Sequence, residues 1–352
     1  MIRPVGLLPK AHLHLHFTGS MRPATLVALA DKHHLRLPEA LTRSWSTGMP
    51  PTLHATDERG WFRFQRLYDT ARACVRGEDD MRRIVREAAL DDAAEGSRWL
   101  EMQVDPTSYA PFVGGITPAL EIILDEAGEV SRQAGIGVAI VVAANRIRHP
   151  LDARTLARLA ARHAGEGPGM VVGFGLSNDE RRGSTGDFAP AFDIARRAGL
   201  VCVPHGGELL GAPSVLETLV ALSPDRLGHG IRSVEDPRVL AEVVSRGVTL
   251  EVCPGSNVAL GVYPAAEDVP IHELISAGAR IALGADDPLL FGSRLNAQYD
   301  AAREVHGLSD AQLAELARGS VRGSRAPEPE RIQTLSDIDA WLNAQPDRPL
   351  LS

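Results

Sequence analysis

The chain has 352 residues, with 37 Lys and Arg against 45 Asp and Glu, for a formal charge of −8. An apolar fraction of 44% excludes disorder, and three distant cysteines (Cys74, Cys202, Cys253) exclude a disulfide scaffold. The acidic balance argues against binding a nucleic-acid backbone. No run reaches the ~18 apolar residues of a membrane span, and Lys10 interrupts the short apolar N-terminus, so a reduced, cytoplasmic protein is expected.

In chain order, apolar runs with β-branched content fall at residues 11–17, 99–104, 136–143, 170–176, 200–204, 226–230, 248–253 and 280–284. Helical periodicity marks 81–94, 118–134, 155–164, 190–198, 215–222 and 239–245 between them. Strands alternating with helices imply parallel βαβ units, and eight of them predict a closed (β/α)8 TIM barrel. An open doubly wound sheet is the alternative, weakened because no G-x-G-x-x-G follows the first strand. Two stretches lie outside the alternation. Residues 23–78 hold a helical stretch (23–34), a Pro-rich passage around Met49-Pro50-Pro51, and the aromatic cluster Trp61, Phe62, Phe64 and Tyr68. This insertion after strand one is expected to form a helical lid. A C-terminal extension at about 325–352 carries a short helix at 335–342, and the whole chain, 1–352, is expected to be one domain.

Polar residues concentrate at the strand ends, which in a barrel face the active site. Strand one reads Lys10-Ala11-His12-Leu13-His14-Leu15-His16-Phe17, and alternation places His12, His14 and His16 on one face. Three buried imidazoles without partners would be costly. His205 ends strand five, His229 ends strand six, and Asp286-Asp287-Pro288 follows strand eight. Any one of these reads as a hydrogen-bonded core residue or a turn; together they suit a catalytic divalent ion, with zinc the first choice. Such a site lowers the pKa of bound water toward ~7.

The segment Leu8-Pro9-Lys10-Ala11-His12-Leu13-His14-Leu15-His16, with His205-Gly206-Gly207-Glu208, Gly228-His229-Gly230, Glu251-Val252-Cys253-Pro254-Gly255-Ser256-Asn257 and Asp286-Asp287-Pro288, resembles the adenosine deaminase family of metal-dependent amidohydrolase barrels. The match runs in order from residue 8 to about 300. The resemblance implies one Zn2+ per chain, held by His14, His16, His205 and Asp286. It implies Glu208 as the acid that protonates purine N1 and His229 as the group that orients and deprotonates the attacking water. Asp287 would bond N7, and Gly207 would lie beside the purine edge. The absence of P-C-x-x-C separates the chain from cytidine-deaminase zinc sites.

Departures from the family pattern bear on the substrate. Phe17-Thr18-Gly19 stands where adenosine deaminases carry L-D-G, so Thr18 replaces a carboxylate that contacts the ribose 5′-hydroxyl. On strand four, Gly175 and Asn178 replace an Asp and a Gly; Glu101-Met102-Gln103 stands for E-x-R, and His12 for Glu. These changes suit an adenine nucleoside modified at the 5′ position, as in the aminodeoxyfutalosine deaminases of menaquinone biosynthesis. Plain adenosine or adenine deamination is the alternative. An anionic tail would need a cation, with Arg63, Arg66, Arg181 and Arg182 as candidates. A two-metal amidohydrolase bridged by a carboxylated Lys is disfavoured, since the only lysines are Lys10 and Lys32. A non-catalytic barrel is disfavoured by the intact ligand and acid set. The expected partner is a small 6-aminopurine nucleoside, not nucleic acid or membrane.

Overall fold

The computed structural model describes residues 3–42 and 53–344; the Pro-rich passage at Met49-Pro50-Pro51 and the end of the C-terminal extension lie outside them. Eight parallel strands pair in chain order: β1 (Lys10–His16), β2 (Ser97–Val104), β3 (Gly137–Asn145), β4 (Val171–Ser177), β5 (Val201–Gly206), β6 (Arg226–His229), β7 (Thr249–Val252) and β8 (Arg280–Leu283). The ring closes where Leu15 bridges Asp286. There His16 N donates to Asp286 O and Asp286 N to His14 O, each at 3.0 Å. This is the expected (β/α)8 barrel.

The strands form where the sequence can be buried on both sides. β3 is almost wholly apolar because one face meets the barrel interior and the other the surrounding helices. Local signals set the helix starts: Asp57 accepts from Gly60 N ahead of the helix Glu58–Ala73, and Asp236 accepts from Arg238 N ahead of Pro237–Ser245. Beneath the strands, Lys10 closes the barrel floor, its Nζ donating to the carbonyls of Val5, Leu8 and Glu95 at 3.0, 3.0 and 2.6 Å.

Three features differ from the sequence expectation. Residues 285–323 carry helices at Pro288–Phe291, Leu295–Glu304 and Asp310–Gly323, none of them anticipated. The last packs on β1 and β8, where a Cβ at Gly319 would lie 2.3 Å from Ile281 O, so only glycine allows the approach. The C-terminal helix is longer than expected, Glu328–Asn343, and buries Ile338 and Trp341. Most important for the site, the β1–β2 register shifts between His12 and Leu15, which breaks the simple alternation. His12 therefore does not join His14 and His16: its Nδ1 meets Asp92, on the helix Glu78–Ala94, at 2.7 Å, and its Nε2 accepts from Ala285 N at 3.0 Å.

The insertion after β1 supplies the lid helix Glu58–Ala73, tied down by Leu53 N to Ala259 O (2.9 Å) and Ala55 N to Leu260 O (2.7 Å). Trp61 and Phe64 are buried and Tyr68 half-buried on one side, and all three line the cleft over the barrel mouth. Phe62, on the opposite side, is 64% exposed and takes no part.

Candidate active site

The C-terminal strand ends bring the expected residues together. Potential ligand atoms of His14, His16 and His205 lie within 4.8 Å of one another; so do those of His14, His229, Cys253 and Asp286, and those of His205, Glu208 and His229. Asp287 joins His16 and Asp286 in a further group. Two of these residues adopt left-handed backbone, His229 at φ 64° and Asp286 at φ 60°. That conformation is costly without glycine and is found where side chains must be aimed at a site. Small residues make room beside them: a Cβ at Gly228 would lie 2.6 Å from His205 Cδ2, and one at Gly284 2.7 Å from His14 Cβ.

The donor set fits a divalent cation. His14 Nε2 and both ring nitrogens of His205 and of His229 are buried without a hydrogen-bond partner, as is Asp287 Oδ1. Buried polar atoms in such numbers are expected only where something else satisfies them. Burial lowers the pKa of His14 and of His229 to about 3, and lowers His205 well below the usual range, with the neighbouring imidazoles adding to the effect there. These three rings are therefore neutral and their lone pairs are free for ligation. Burial opposes ionisation of Asp286, but its hydrogen bond to His16 and the nearby His229 and His14 outweigh it, and its carboxyl is held below the usual range. His16 Nε2 lies 3.2 Å from Asp286 Oδ1. Cys253 is a different case. Burial and then Asp286 push its thiol well up, and Sγ donates to Glu251 O at 3.6 Å, so it stands by as a protonated neighbour.

Burial pushes two carboxyls on the cleft toward the protonated form. Burial, then Asp286, Glu180 and Asp287, raise Glu208 well above the usual range. Burial and Asp286 do the same for Asp287. Glu208 Oε2 is 3.6 Å from both His205 Nδ1 and His229 Nε2. Asp287 packs directly on Gly19, where a Cβ would fall 1.8 Å from its Oδ1.

A buried charge network reaches the cluster from the barrel interior. His14 Nδ1 donates to Glu251 Oε2 at 2.8 Å, which fixes the tautomer and leaves Nε2 free. Arg226 Nε lies 2.8 Å from Glu251 Oε1, and its Nη2 donates to Glu101 at 2.5 Å. Burial raises Glu251 to about 7, with Arg226 opposing.

Above the cluster opens a cleft between the strand ends and the lid helix. His16, His205, Glu208, Asp286 and Asp287 reach it, while His14 and His229 are sealed below. Among the substrate residues expected from the departures, Asn178 lines the cleft, with φ 81° and its Oδ1 accepting from Asp179 N. Thr18 and Gly175 lie just behind the wall. Thr18 Oγ1 shares a 2.6 Å hydrogen bond with Tyr109 Oη, and a Cβ at Gly175 would meet Val203 O at 3.1 Å. Gly207, at φ 74°, does not line the cleft, and its N–H is taken by Glu180 at 2.6 Å.

None of the four candidate arginines lines the cleft. Arg181 is held by Asp179 and Thr56 O, Arg182 pairs with Glu58, and Arg63 and Arg66 point to solvent. The cation on the wall is Arg72, which the sequence reading missed; it pairs with Asp69 and donates to Ser108 Oγ at 3.2 Å. Gln103, one of the departures noted in the sequence, also lines the wall, while Asp105, Asn145 and Ser177 were missed as wall residues. Each sits at or just past the C-terminal end of β2, β3 or β4, so the rule that found the imidazoles would have found them.

A (β/α)8 barrel with imidazoles and carboxylates gathered at its strand ends has the layout of a hydrolytic enzyme. The chain belongs to the adenosine deaminase family, whose profile, described as Adenosine deaminase, matches residues 9–341. It is 63% identical over 343 residues (97% of this chain, 99% of the relative) to a Streptomyces coelicolor protein named "Putative adenosine/adenine deaminase". It is 32% identical over 357 residues (95% and 86%) to the aminodeoxyfutalosine deaminase of the same organism. Among solved structures it is similar to the adenine deaminase of Arthrobacter aurescens, with 27% identity, a TM-score of 0.85, and coverage of 97% of this chain and 100% of that one.

Proposed function

We propose that the protein hydrolyses the 6-amino group of an adenine nucleoside to a 6-oxo group, releasing ammonia. The observation that carries this reading is the set of buried, unpartnered imidazole nitrogens gathered around Asp286, beneath two carboxyls whose burial favours the protonated form. His14, His16, His205 and Asp286 would hold one divalent cation per chain, with zinc the natural choice for three imidazoles and a carboxylate. When bound, that ion supplies a Lewis acid and an activated water. Glu208, kept protonated by burial, gives its proton to purine N1 and makes C6 electrophilic. Asp287 donates to N7, and neutral His229 accepts the proton of the attacking water. Water adds at C6, the C6–N6 bond breaks, and the proton returned to nitrogen lets ammonia leave. Trp61, Phe64 and Tyr68 cover the base and exclude bulk solvent.

For the group beyond the base, we infer a 5′-modified nucleoside such as aminodeoxyfutalosine. Support comes from Thr18, whose uncharged hydroxyl is committed to Tyr109, and from Arg72, a cation on the wall suited to an anionic tail. A second reading, plain adenosine or adenine, is favoured by names: the 63% identical Streptomyces coelicolor relative is called an adenosine/adenine deaminase, and the aminodeoxyfutalosine deaminase of that organism is only 32% identical. Side-by-side kcat/KM values on adenine, adenosine, 5′-deoxy-5′-methylthioadenosine and aminodeoxyfutalosine decide between them. Faster turnover of adenosine or adenine sinks the first.

A further inference from the structure

Below the turn that follows β5 lies Glu180, 4% exposed and absent from the cleft wall. Its Oε1 accepts from Gly207 N at 2.6 Å and from Ser214 Oγ at 2.5 Å. Its Oε2 accepts from the N–H groups of Glu208, Leu209 and Leu210 at 3.1, 2.8 and 2.9 Å. We propose that Glu180 is a positioning residue for the deamination: by gathering these five donors it fixes the turn that carries Glu208. The inference rests on Glu208 being the proton donor.

Four successive N–H groups converge on one point only in a single turn conformation, an anion-binding nest, and Gly207 at φ 74° permits it here. A buried carboxylate is expensive, and charge-assisted hydrogen bonds of this number are what offset it. An apolar side chain there would leave all five donors without an acceptor, so the turn conformation and the carboxylate depend on each other. A second buried charge holds the other end of the same segment. Arg146, 2% exposed, donates Nη2 to His205 O at 2.7 Å and Nη1 to Thr185 Oγ1 at 3.2 Å. The stretch from His205 to Leu210 is thus held between a cation and an anion, neither of which touches the cleft. The 3.6 Å spacings from Glu208 Oε2 to His205 and His229 follow from that grip.

The test uses the full-length, zinc-supplemented protein and whichever of adenosine or aminodeoxyfutalosine it turns over faster. Rates are expressed per folded, metal-loaded chain, from circular dichroism and metal content. Glu180→Gln keeps the length but turns an NH2 toward backbone N–H donors; kcat should fall by about 10- to 100-fold with KM within about threefold, the cost of a misplaced catalytic group. Glu180→Asp, which retains the charge, should recover part of that loss. Ser214→Ala removes one of the five donors and should lower kcat by about threefold. Glu208→Gln is the benchmark. If it is inactive while Glu180→Gln retains wild-type kcat per loaded chain, Glu180 does not position the acid. If Glu180→Gln loses activity only in proportion to lost folding or metal, its role is structural and the inference fails. Should that variant not fold, an unchanged kcat in Ser214→Ala overturns the inference and a fall supports it. Full activity in Glu208→Gln overturns both the inference and the reading beneath it.

Discussion

Glu251 offers the sharpest test of how the cluster is prepared for a cation. It is fully buried, accepts from His14 Nδ1 at 2.8 Å, and lies 2.8 Å from Arg226 Nε. Replacing it with Gln keeps a hydrogen-bond acceptor for His14 and removes the charge. Replacing it with Leu removes both and leaves Arg226 with Glu101 and Gly323 O alone. Carboxylates that orient a ligating imidazole contribute about 10- to 100-fold to metal affinity, or about 1 to 3 kcal/mol. Glu251→Gln should fall near the lower figure and Glu251→Leu near the upper. Breaking a buried pair by removing one partner costs about 3 kcal/mol, so the Leu variant should also lose about that much stability without metal. Competition of the apo-protein with a zinc-sensitive chelator gives the affinities, and urea unfolding in the presence of EDTA gives the stabilities. If both variants bind zinc within twofold of wild type, the carboxylate does not orient His14 and the account of the network is wrong.

Other expectations follow from single contacts. Gly19→Ala would place a methyl 1.8 Å from Asp287 Oδ1, so kcat/KM should drop by about 100-fold with metal content retained; a drop under threefold would refute the packing argument. Thr18→Asp introduces a carboxylate beside Tyr109 and should shift the kcat/KM ratio toward adenosine by about tenfold. No change in the ratio would place the 5′ end elsewhere. Lys10 is depressed by burial to about 8 from 10.5, so the folded state binds fewer protons than the unfolded one between those values. Its burial penalty is full below pH 8 and is relieved as pH rises toward 10.5, so wild type should gain about 2 kcal/mol over Lys10→Met between pH 7.5 and 10. Urea unfolding at both pH values measures the gain, and parallel stability curves would contradict it.

The eight strands were legible because a parallel strand buried on both faces leaves a continuous apolar run, and all eight fall within two residues of where periodicity placed them. The cluster was legible because strand-end polarity is anomalous in an apolar frame. The failures have physical causes. His12 was placed on the face of His14 and His16 because strict alternation assumes an unbroken register, and the shift between His12 and Leu15 depends on pairing partners that a single strand does not reveal. The helix Asp310–Gly323 carried a readable signal in the reciprocal cap of Ser309 and Gln312, but Gly319 and Gly323 dilute its apolar period; only the close approach to Ile281 explains the former. Arg72 could not be told from the other lid arginines, because which side of a helix faces a cleft depends on how that helix docks. Glu180 and Glu251 stood in plain view in the sequence, yet their roles come from backbone N–H groups and an arginine that only the fold brings to them.

The most direct test of the central claim is ammonia release by the purified, zinc-loaded protein from adenine, adenosine, 5′-deoxy-5′-methylthioadenosine and aminodeoxyfutalosine. Ammonia should appear in equal amount with the 6-oxo product from at least one of them, and the release should vanish in Glu208→Gln at unchanged metal content. No ammonia from any of the four, or full activity in that variant, would contradict the account.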